Sequence, residues 1–381
     1  MPHVRRWPTI GLAAVLAATG MFAVSKALPS GAENDPTCAF RYVAGGDAVT
    51  NGMEAESKDT ASEEKRYSRQ LLDEHIRNAS LPGCEYNTSH DPTTTDTFVT
   101  DVVYEGLSQQ GAAWQRDPRL ITLTLGRQNS TIVDHVDKCF KQVKDHDFLD
   151  ANACALNVYA NPAHWEKLKK DLDQILNTFK IQVDGAPSDL IVAVTGYFNP
   201  YPAATDVATK IPGFCAQLVD TIPTCIARWI LLPPALVTLD QVVQKLNSTI
   251  KEVVDQHFTG SQGRFFFVNP YDKFKSHCMK INVEIKTTVY HPTNTVHDHN
   301  TQKTNFGCDD TWIGSDGDKG TKSPFLYLTP AATGVLIKAT QTTEDMGIYP
   351  NDAGHDCIAD LIWEATKVRM GVQEAPEEAC N

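Results

Sequence analysis

Short apolar runs alternate with amphipathic helical stretches along most of this chain. The apolar runs are rich in Val, Ile, Leu and Phe, and helical stretches of roughly 12–20 residues separate them. This alternation predicts a mostly parallel sheet with helices on both of its faces. We therefore expect an α/β fold of three layers, α/β/α, around a sheet of about five strands. The predicted strands are 40–45, 84–86, 120–126, 190–196 and 264–268.

Helical spacing of apolar residues indicates the helices between these strands. Two regions interrupt the alternation. Residues 199–233 are rich in proline, and residues 275–333 are polar and irregular, so both are predicted to be surface insertions that shape a cleft. The predicted helices are 62–78, 99–114, a helix capped by Ser130, 162–179, 234–257 and 351–369.

The amino-terminal residues have the pattern of a secretory signal. Arg5 and Arg6 precede an apolar run, and small residues such as Ala27 and Ala32 follow it. We expect residues 1–32 to be a signal peptide with a short leader, and residues 33–381 to form a single domain of an extracellular protein. An uncleaved anchor is the alternative, although the apolar run is short for a membrane span.

Ten cysteines follow this leader, and an even number in an exported chain implies disulfides. Pairing of near neighbours, Cys139 with Cys154 and Cys215 with Cys225, is one arrangement that the spacing allows; the connectivity stays open. The chain has 34 basic and 47 acidic residues. Because so acidic a surface repels phosphates, we expect no nucleic-acid partner.

A cluster of histidines in the second insertion raises the question of a metal. His291, His297, Asp298 and His299 lie close together in sequence, with His277 upstream. No Cys-x-x-Cys pair or His-x-x-x-His accompanies them, so solvated loop histidines are favoured over a zinc site. We predict no metal and no cofactor.

The strand that begins at Phe40 ends in an unusual turn. Two glycines are followed by Asp47, Ala48, Val49 and Thr50. Such a turn lies at the carboxyl edge of a parallel sheet, where open α/β folds bind their ligands. Residues 46–50 are therefore the first candidate site.

Three segments resemble the SGNH (GDSL-type) hydrolases. Gly46-Asp47-Ala48-Val49-Thr50 resembles the first block of that family, Gly-Asp-Ser-x-Thr, with Ala48 where the family has its nucleophilic serine. Gly126-Arg127-Gln128-Asn129 is similar to the Gly-x-Asn-Asp block, with one extra residue before the asparagine and Ser130 in place of the aspartate. No convincing match to the family's second block occurs near residues 87–94.

The third segment, residues 347–355, resembles the closing block Asp-x-x-His-Pro-Asn-x-x-Gly-His. Tyr349 stands at the histidine before proline, the base in many members, and Met346 stands at the aspartate. Asp352 and His355 keep the Asp-x-x-His spacing further along. Whether His355 or Tyr349 faces the cleft stays open.

The resemblance implies a secreted ester hydrolase that acts on lipid or acylated carbohydrate. His355 would be the base, Asp352 its partner, and Asn129 and Gly126 the oxyanion donors. Thr50 offers the nearest substitute hydroxyl.

Other interpretations of the same residues stay open. Asp47 is expected to brace the turn. Asn129 is alternatively interpreted as a helix cap, and His355 as a histidine without a catalytic partner. The alternative function is an inactive pseudo-hydrolase that holds an acyl or glycan ligand in the cell envelope.

Overall fold

The predicted sheet is confirmed by the computed structural model. The model describes residues 40–51, 65–87, 118–126, 138–140, 142–143, 147–185, 190–216, 231–260, 263–290, 296–308, 312–313, 322–323, 336–343, 350–373 and 380. Five parallel strands pair in the order β2-β1-β3-β4-β5, the order of flavodoxin-like doubly wound folds. The strands are β1 Phe40–Gly46, β2 Gly83–Asn87, β3 Leu120–Thr124, β4 Ile191–Thr195 and β5 Phe265–Val268.

Helices cover both faces of this sheet, which confirms the three-layer α/β/α architecture. The helices are α1 Ala48–Asn51, α2 Tyr67–Gln70, α3 Phe148–Ala160, α4 Pro162–Gly185, α5 Ala204–Ala216, α6 Leu232–Gly260, α7 Tyr271–Phe274 and α8 Asp352–Thr366. One face of the sheet packs on α2, its π-helical continuation Leu71–Ile76, and α8; the other packs on α4 and α6, and α3 packs against α6.

The central strands are buried along their whole length. β3 reads Leu-Ile-Thr-Leu-Thr and β4 reads Ile-Val-Ala-Val-Thr, and every residue of both is buried, as expected for strands covered on two faces. The strand order changes direction at β1, so the carboxyl ends of β1 and β3 flank the switch point where such folds bind ligands. Gly46 and Thr124 are register partners at this edge.

The prediction that the second insertion is irregular was wrong. Residues in this region form an antiparallel sheet of order β7-β6-β9-β8. Ile281, Val283 and Ile285 alternate with polar residues in β6, and this period of two is typical of a strand. The strands are β6 Lys280–Tyr290, β7 Val296–Gly307, β8 Lys322–Ser323 and β9 Leu336–Thr343.

Three disulfides join described residues. The predicted pair Cys139–Cys154 is confirmed, and Cys278–Cys308 and Cys357–Cys380 accompany it. Cys225 and the side chain of Cys215 lie outside the described residues, as does the predicted leader, so those predictions stay predictions.

Candidate membrane helices and candidate metal-ligand clusters are both absent from the described residues. No helix in this part of the chain is both long enough and apolar enough to cross a bilayer. Within the same ranges, no three His, Cys, Asp or Glu side chains form a group suited to a metal ion. The side chains of His291, His297, Asp298 and His299 lie outside the described set.

Candidate functional site

The turn after β1 depends on Gly46. This residue has φ of +140°, and a Cβ atom built on it would lie 2.4 Å from the carbonyl oxygen of Thr124. This close approach of Gly46 to β3 allows a hydrogen bond between the strands, because the backbone N–H of Asp47 donates to the same Thr124 oxygen at 3.0 Å. Only glycine combines this backbone conformation with the absence of a side chain.

Asp47 is almost fully buried, with 1% of its surface exposed, and it braces the turn. Its Oδ1 accepts the backbone N–H of Val49 at 3.0 Å. Its Oδ2 accepts the phenolic O–H of Tyr197 at 2.5 Å. The carboxylate therefore joins the end of β1 to the residues after β4, as the bracing interpretation of the sequence expected.

Replacing Tyr197 with phenylalanine is expected to lower the free energy of unfolding by about 1–2 kcal/mol, because the buried carboxylate of Asp47 then loses one of its hydrogen bonds. Urea denaturation followed by circular dichroism measures the change. Tyr159 is a suitable control since it is partly exposed, 38%, and its contact with Lys245 involves the ring, which phenylalanine keeps. Equal stability of the Tyr197→Phe variant and the parent would refute the bracing role.

Thr50 belongs to a buried hydroxyl cluster, which we define as Tyr42, Thr50, Tyr67, Thr122 and Thr124. The Thr50 hydroxyl donates to the Gly45 carbonyl at 3.3 Å and lies 3.2 Å from the Tyr67 oxygen. Tyr67 also contacts Thr124 at 3.1 Å, while Tyr42 contacts Thr122 at 2.8 Å. Burial raises the pKa of both tyrosines, so both stay protonated. The Thr50 hydroxyl is thus engaged inside the fold.

His355 lies beside this cluster, in the first turn of α8. Its ring stacks near that of Tyr67, with centroids 6.3 Å apart. The side chain is 1% exposed. Burial lowers its pKa from 6.5 to about 4, against a weaker opposing attraction from Asp352. The imidazole is therefore neutral at pH 7, and its Nδ1 has no hydrogen-bond partner among the described residues.

Asp352 does not orient this imidazole in the structure. Its carboxylate pairs with the Lys65 ammonium at the surface, and 39% of the side chain is exposed. The helix start is instead fixed by Asn351, whose Oδ1 accepts the backbone N–H of Gly354 at 3.0 Å. The side chains of Asp352 and His355 therefore lie in different surroundings, the first at the surface and the second buried.

The remaining predicted residues lie at or beyond the edges of the described chain. Ala48 begins α1, directly after Asp47. Gly126 follows β3 with φ of +126°, and a Cβ there would lie 3.4 Å from Leu168 and from Ile250, so it faces α4 and α6. Asn129, Met346 and Tyr349 lie outside the described residues. The structure thus brings the turn of Asp47 and Thr50 together with His355 through Tyr67, whereas Gly126 faces the opposite layer.

Sequence reasoning missed the side chains that hold this edge together. Tyr67 lies in a predicted helix with no local sign of a site. Tyr197 directly follows the predicted strand 190–196, and nothing in its sequence context indicates its partners. Asn247 clamps Tyr197 by accepting its backbone N–H at 2.7 Å and donating to its carbonyl at 2.6 Å. No local pattern identifies these partners, because 50 residues separate Asn247 from Tyr197 and 150 separate Asp47 from Tyr197.

Two groups relevant to acyl transfer lie among the described residues of this edge, the Thr50 hydroxyl and the His355 imidazole. Acyl transfer needs a nucleophile within hydrogen-bond reach of a base that a third group orients. Here the Thr50 hydroxyl donates to the Gly45 carbonyl, and the Nδ1 atom of the buried His355 has no hydrogen-bond partner among the described residues.

No protein-family model matches the sequence, and neither does any curated protein. Among solved structures, a phospholipase A1 from Streptomyces albidoflavus NA297 is 15% identical, with 87% of this chain and 100% of that chain covered and a TM-score of 0.46. A GDSL-like lipase from Parabacteroides merdae is 10% identical over 62% and 80% of the two chains, with a TM-score of 0.33. TesA is 10% identical over 86% and 99%, with a TM-score of 0.34.

The second of these is a GDSL-like lipase, and the SGNH (GDSL-type) hydrolases are the family that three short blocks of this sequence resemble.

Proposed function

We propose that this chain is an exported pseudo-hydrolase, a protein of SGNH-type fold that binds an acyl ester or acylated glycan and does not hydrolyse it. Ala48 carries this proposal, because it stands where the resembled family has its nucleophilic serine. A methyl group cannot attack an acyl carbon. Loss of the nucleophile alone costs a rate factor on the order of a million in a serine hydrolase.

The surroundings of His355 support the same conclusion. A general base must reach the proton that it takes, directly or through one water. His355 is buried, and its Nδ1 has no described partner to orient the ring. Tyr349 stands at the family's histidine before proline, and a tyrosine there does not replace the imidazole base.

Export is supported by the disulfides. Cys139–Cys154, Cys278–Cys308 and Cys357–Cys380 suit an oxidising compartment. The predicted signal peptide leads to the same compartment.

One observation favours a second candidate function, an ester hydrolase with an atypical nucleophile acting on lipid or acylated carbohydrate. The hydroxyl cluster lies next to His355, with Tyr67 touching both Thr50 and the imidazole ring. Catalysis through Thr50 would require its hydroxyl to leave the Gly45 carbonyl and turn toward the base.

Turnover of nitrophenyl esters of increasing chain length separates the two functions. The parent is expected to match the buffer rate. A variant that rebuilds the family's residues, Ala48→Ser with Met346→Asp and Tyr349→His, is expected to gain turnover, whereas Met346→Asp with Tyr349→His alone stays silent and serves as the matched control. Turnover by the parent that His355→Ala abolishes would establish the hydrolase instead.

A further inference from the structure

Residues other than those of the hydroxyl cluster line a cavity in the described part of the chain. A cavity of about 480 Å³ opens between the segment that follows β4 and the amino-terminal half of α6. This volume is within the range of small-molecule pockets, roughly 300–1,000 Å³. Neither the hydroxyl cluster nor His355 lines the cavity.

Most of the cavity wall is apolar. Pro202, Ala203 and Ala204 form one side, and Leu236 and Val237 of α6 form the other. Val237 is 47% exposed, so its side chain adds accessible apolar surface to this wall. The wall therefore offers a hydrophobic surface to an alkyl chain.

The cavity has one polar end, and Asp240 is at its centre. Its Oδ1 accepts from Asn199 Nδ2 at 2.8 Å and from the Tyr271 hydroxyl at 2.6 Å. Its Oδ2 accepts from Gln244 Nε2 at 2.7 Å. An ionised carboxylate has about four acceptor positions, and these three hydrogen bonds leave Oδ2 able to accept a donor from a ligand.

The charge of this end selects against anions. Lys275 also lines the cavity, but its ammonium pairs with Asp272 at 3.0 Å and lies 4.6 Å from the centroid of the Tyr271 ring. Lys275 and Asp272 offset each other, so the negative charge of Asp240 remains. A carboxylate or phosphate would be repelled, whereas a neutral hydroxyl would be attracted.

We propose that this cavity binds a neutral, hydroxyl-bearing acyl ester of the monoacylglycerol class. A glycerol hydroxyl donates to Asp240, and the acyl chain lies along Pro202, Leu236 and Val237. A bare glycan fits less well, because the ring of Tyr201, the aromatic side chain of the wall, is itself buried and offers little face for a sugar. The acyl-ester class of this ligand rests on the proposed function; the location rests on the cavity alone.

Calorimetric titration of the exported chain with 1-octanoylglycerol, below the concentration at which it aggregates, tests the site. We expect saturable binding at one site, and at least roughly tenfold weaker binding of octanoate, which has the same chain but an anionic head. Ala203→Trp fills the cavity from an exposed position and is expected to weaken binding of the ester at least roughly tenfold. Ala208→Trp, at an exposed position of α5 outside the cavity, is the matched control and leaves binding unchanged.

Asp240→Asn tests the polar end separately. This variant removes the negative charge. We therefore expect it to weaken binding of the ester and to strengthen binding of octanoate, so that the dissociation constants of the two ligands become more similar. Thermal unfolding of each variant checks that the fold is kept.

The outcomes test the location of the binding site and the proposed function separately. If the ester binds and Ala203→Trp binds it equally well, this site is wrong and the proposed function stands. If neither 1-octanoylglycerol nor an octanoylated sugar binds, both fail. Release of octanoate from bound ester would overturn the proposed function and leave the location of the site intact.

Discussion

Replacing Gly46 with alanine is expected to lower the free energy of unfolding by about 4 kcal/mol, from the combined cost of backbone strain and of overpacking. The residue has φ of +140°, where L side chains are strained. The new methyl group would also lie 2.4 Å from the Thr124 carbonyl oxygen and 2.7 Å from the Thr50 hydroxyl. The strand end would have to move away from β3, and with it the turn that carries Asp47 and Ala48.

Gly371 provides the matched control for this change. It also has positive φ, +83°, but a Cβ there would meet nothing within 4 Å. Gly371→Ala is therefore expected to cost about 1–2 kcal/mol, the strain of the left-handed backbone alone. Urea denaturation of both variants measures the difference. Equal losses at the two positions would show that the close approach of β1 to β3 does not matter.

The second large effect concerns His355 and pH. Between about pH 7.5 and about pH 4.5, the parent is expected to lose about 2–3 kcal/mol more stability than His355→Leu. The folded pKa of His355 is lowered from 6.5 to about 4. Below pH 6.5 the unfolded chain binds a proton at this histidine, whereas the folded chain binds it only near pH 4. The folded protein therefore loses stability relative to the unfolded chain as the pH falls from 6.5 to about 4.

Asp356, which also lies in α8, titrates in the same pH range, and its effect on stability has the opposite sign. Burial and the nearby Asp360 and Glu74 raise the pKa of Asp356 from 3.8 to about 6, so its contribution to stability increases as pH falls through 6. Both the parent and His355→Leu contain Asp356. The difference between their pH profiles therefore isolates the histidine. Parallel profiles would mean that the imidazole is hydrated in the folded protein.

The sheet could be predicted from sequence because the pattern of its strands is local. The runs at 120–126 and 190–196 are apolar and β-branched, and both become buried strands. Helix α5 was missed since Pro212 lies inside it, against the usual effect of proline on a helix. The second sheet was missed because its strands carry many polar side chains, which favoured a loop over the period-two pattern of β6.

The candidate site was predictable only in part, for a physical reason. The position of residues 46–50 at the carboxyl edge follows from the parallel sheet alone. The partners of these residues come from distant segments. The spacing of Asp352 and His355 places them close on a helix surface, yet one turns to Lys65 and the other is buried against Tyr67. Sequence spacing does not contain the tertiary contacts that separate them.

Ala48 and the enclosed His355 support our proposal that the edge near Asp47 lacks a reactive hydroxyl. A fluorophosphonate probe, which forms a covalent bond with an activated serine or threonine, tests this claim most directly when intact-protein mass spectrometry follows it. We predict no adduct on the parent and an adduct at position 48 on the variant that combines Ala48→Ser, Met346→Asp and Tyr349→His. Stoichiometric labelling of the parent, at Thr50 or any other hydroxyl, would contradict it.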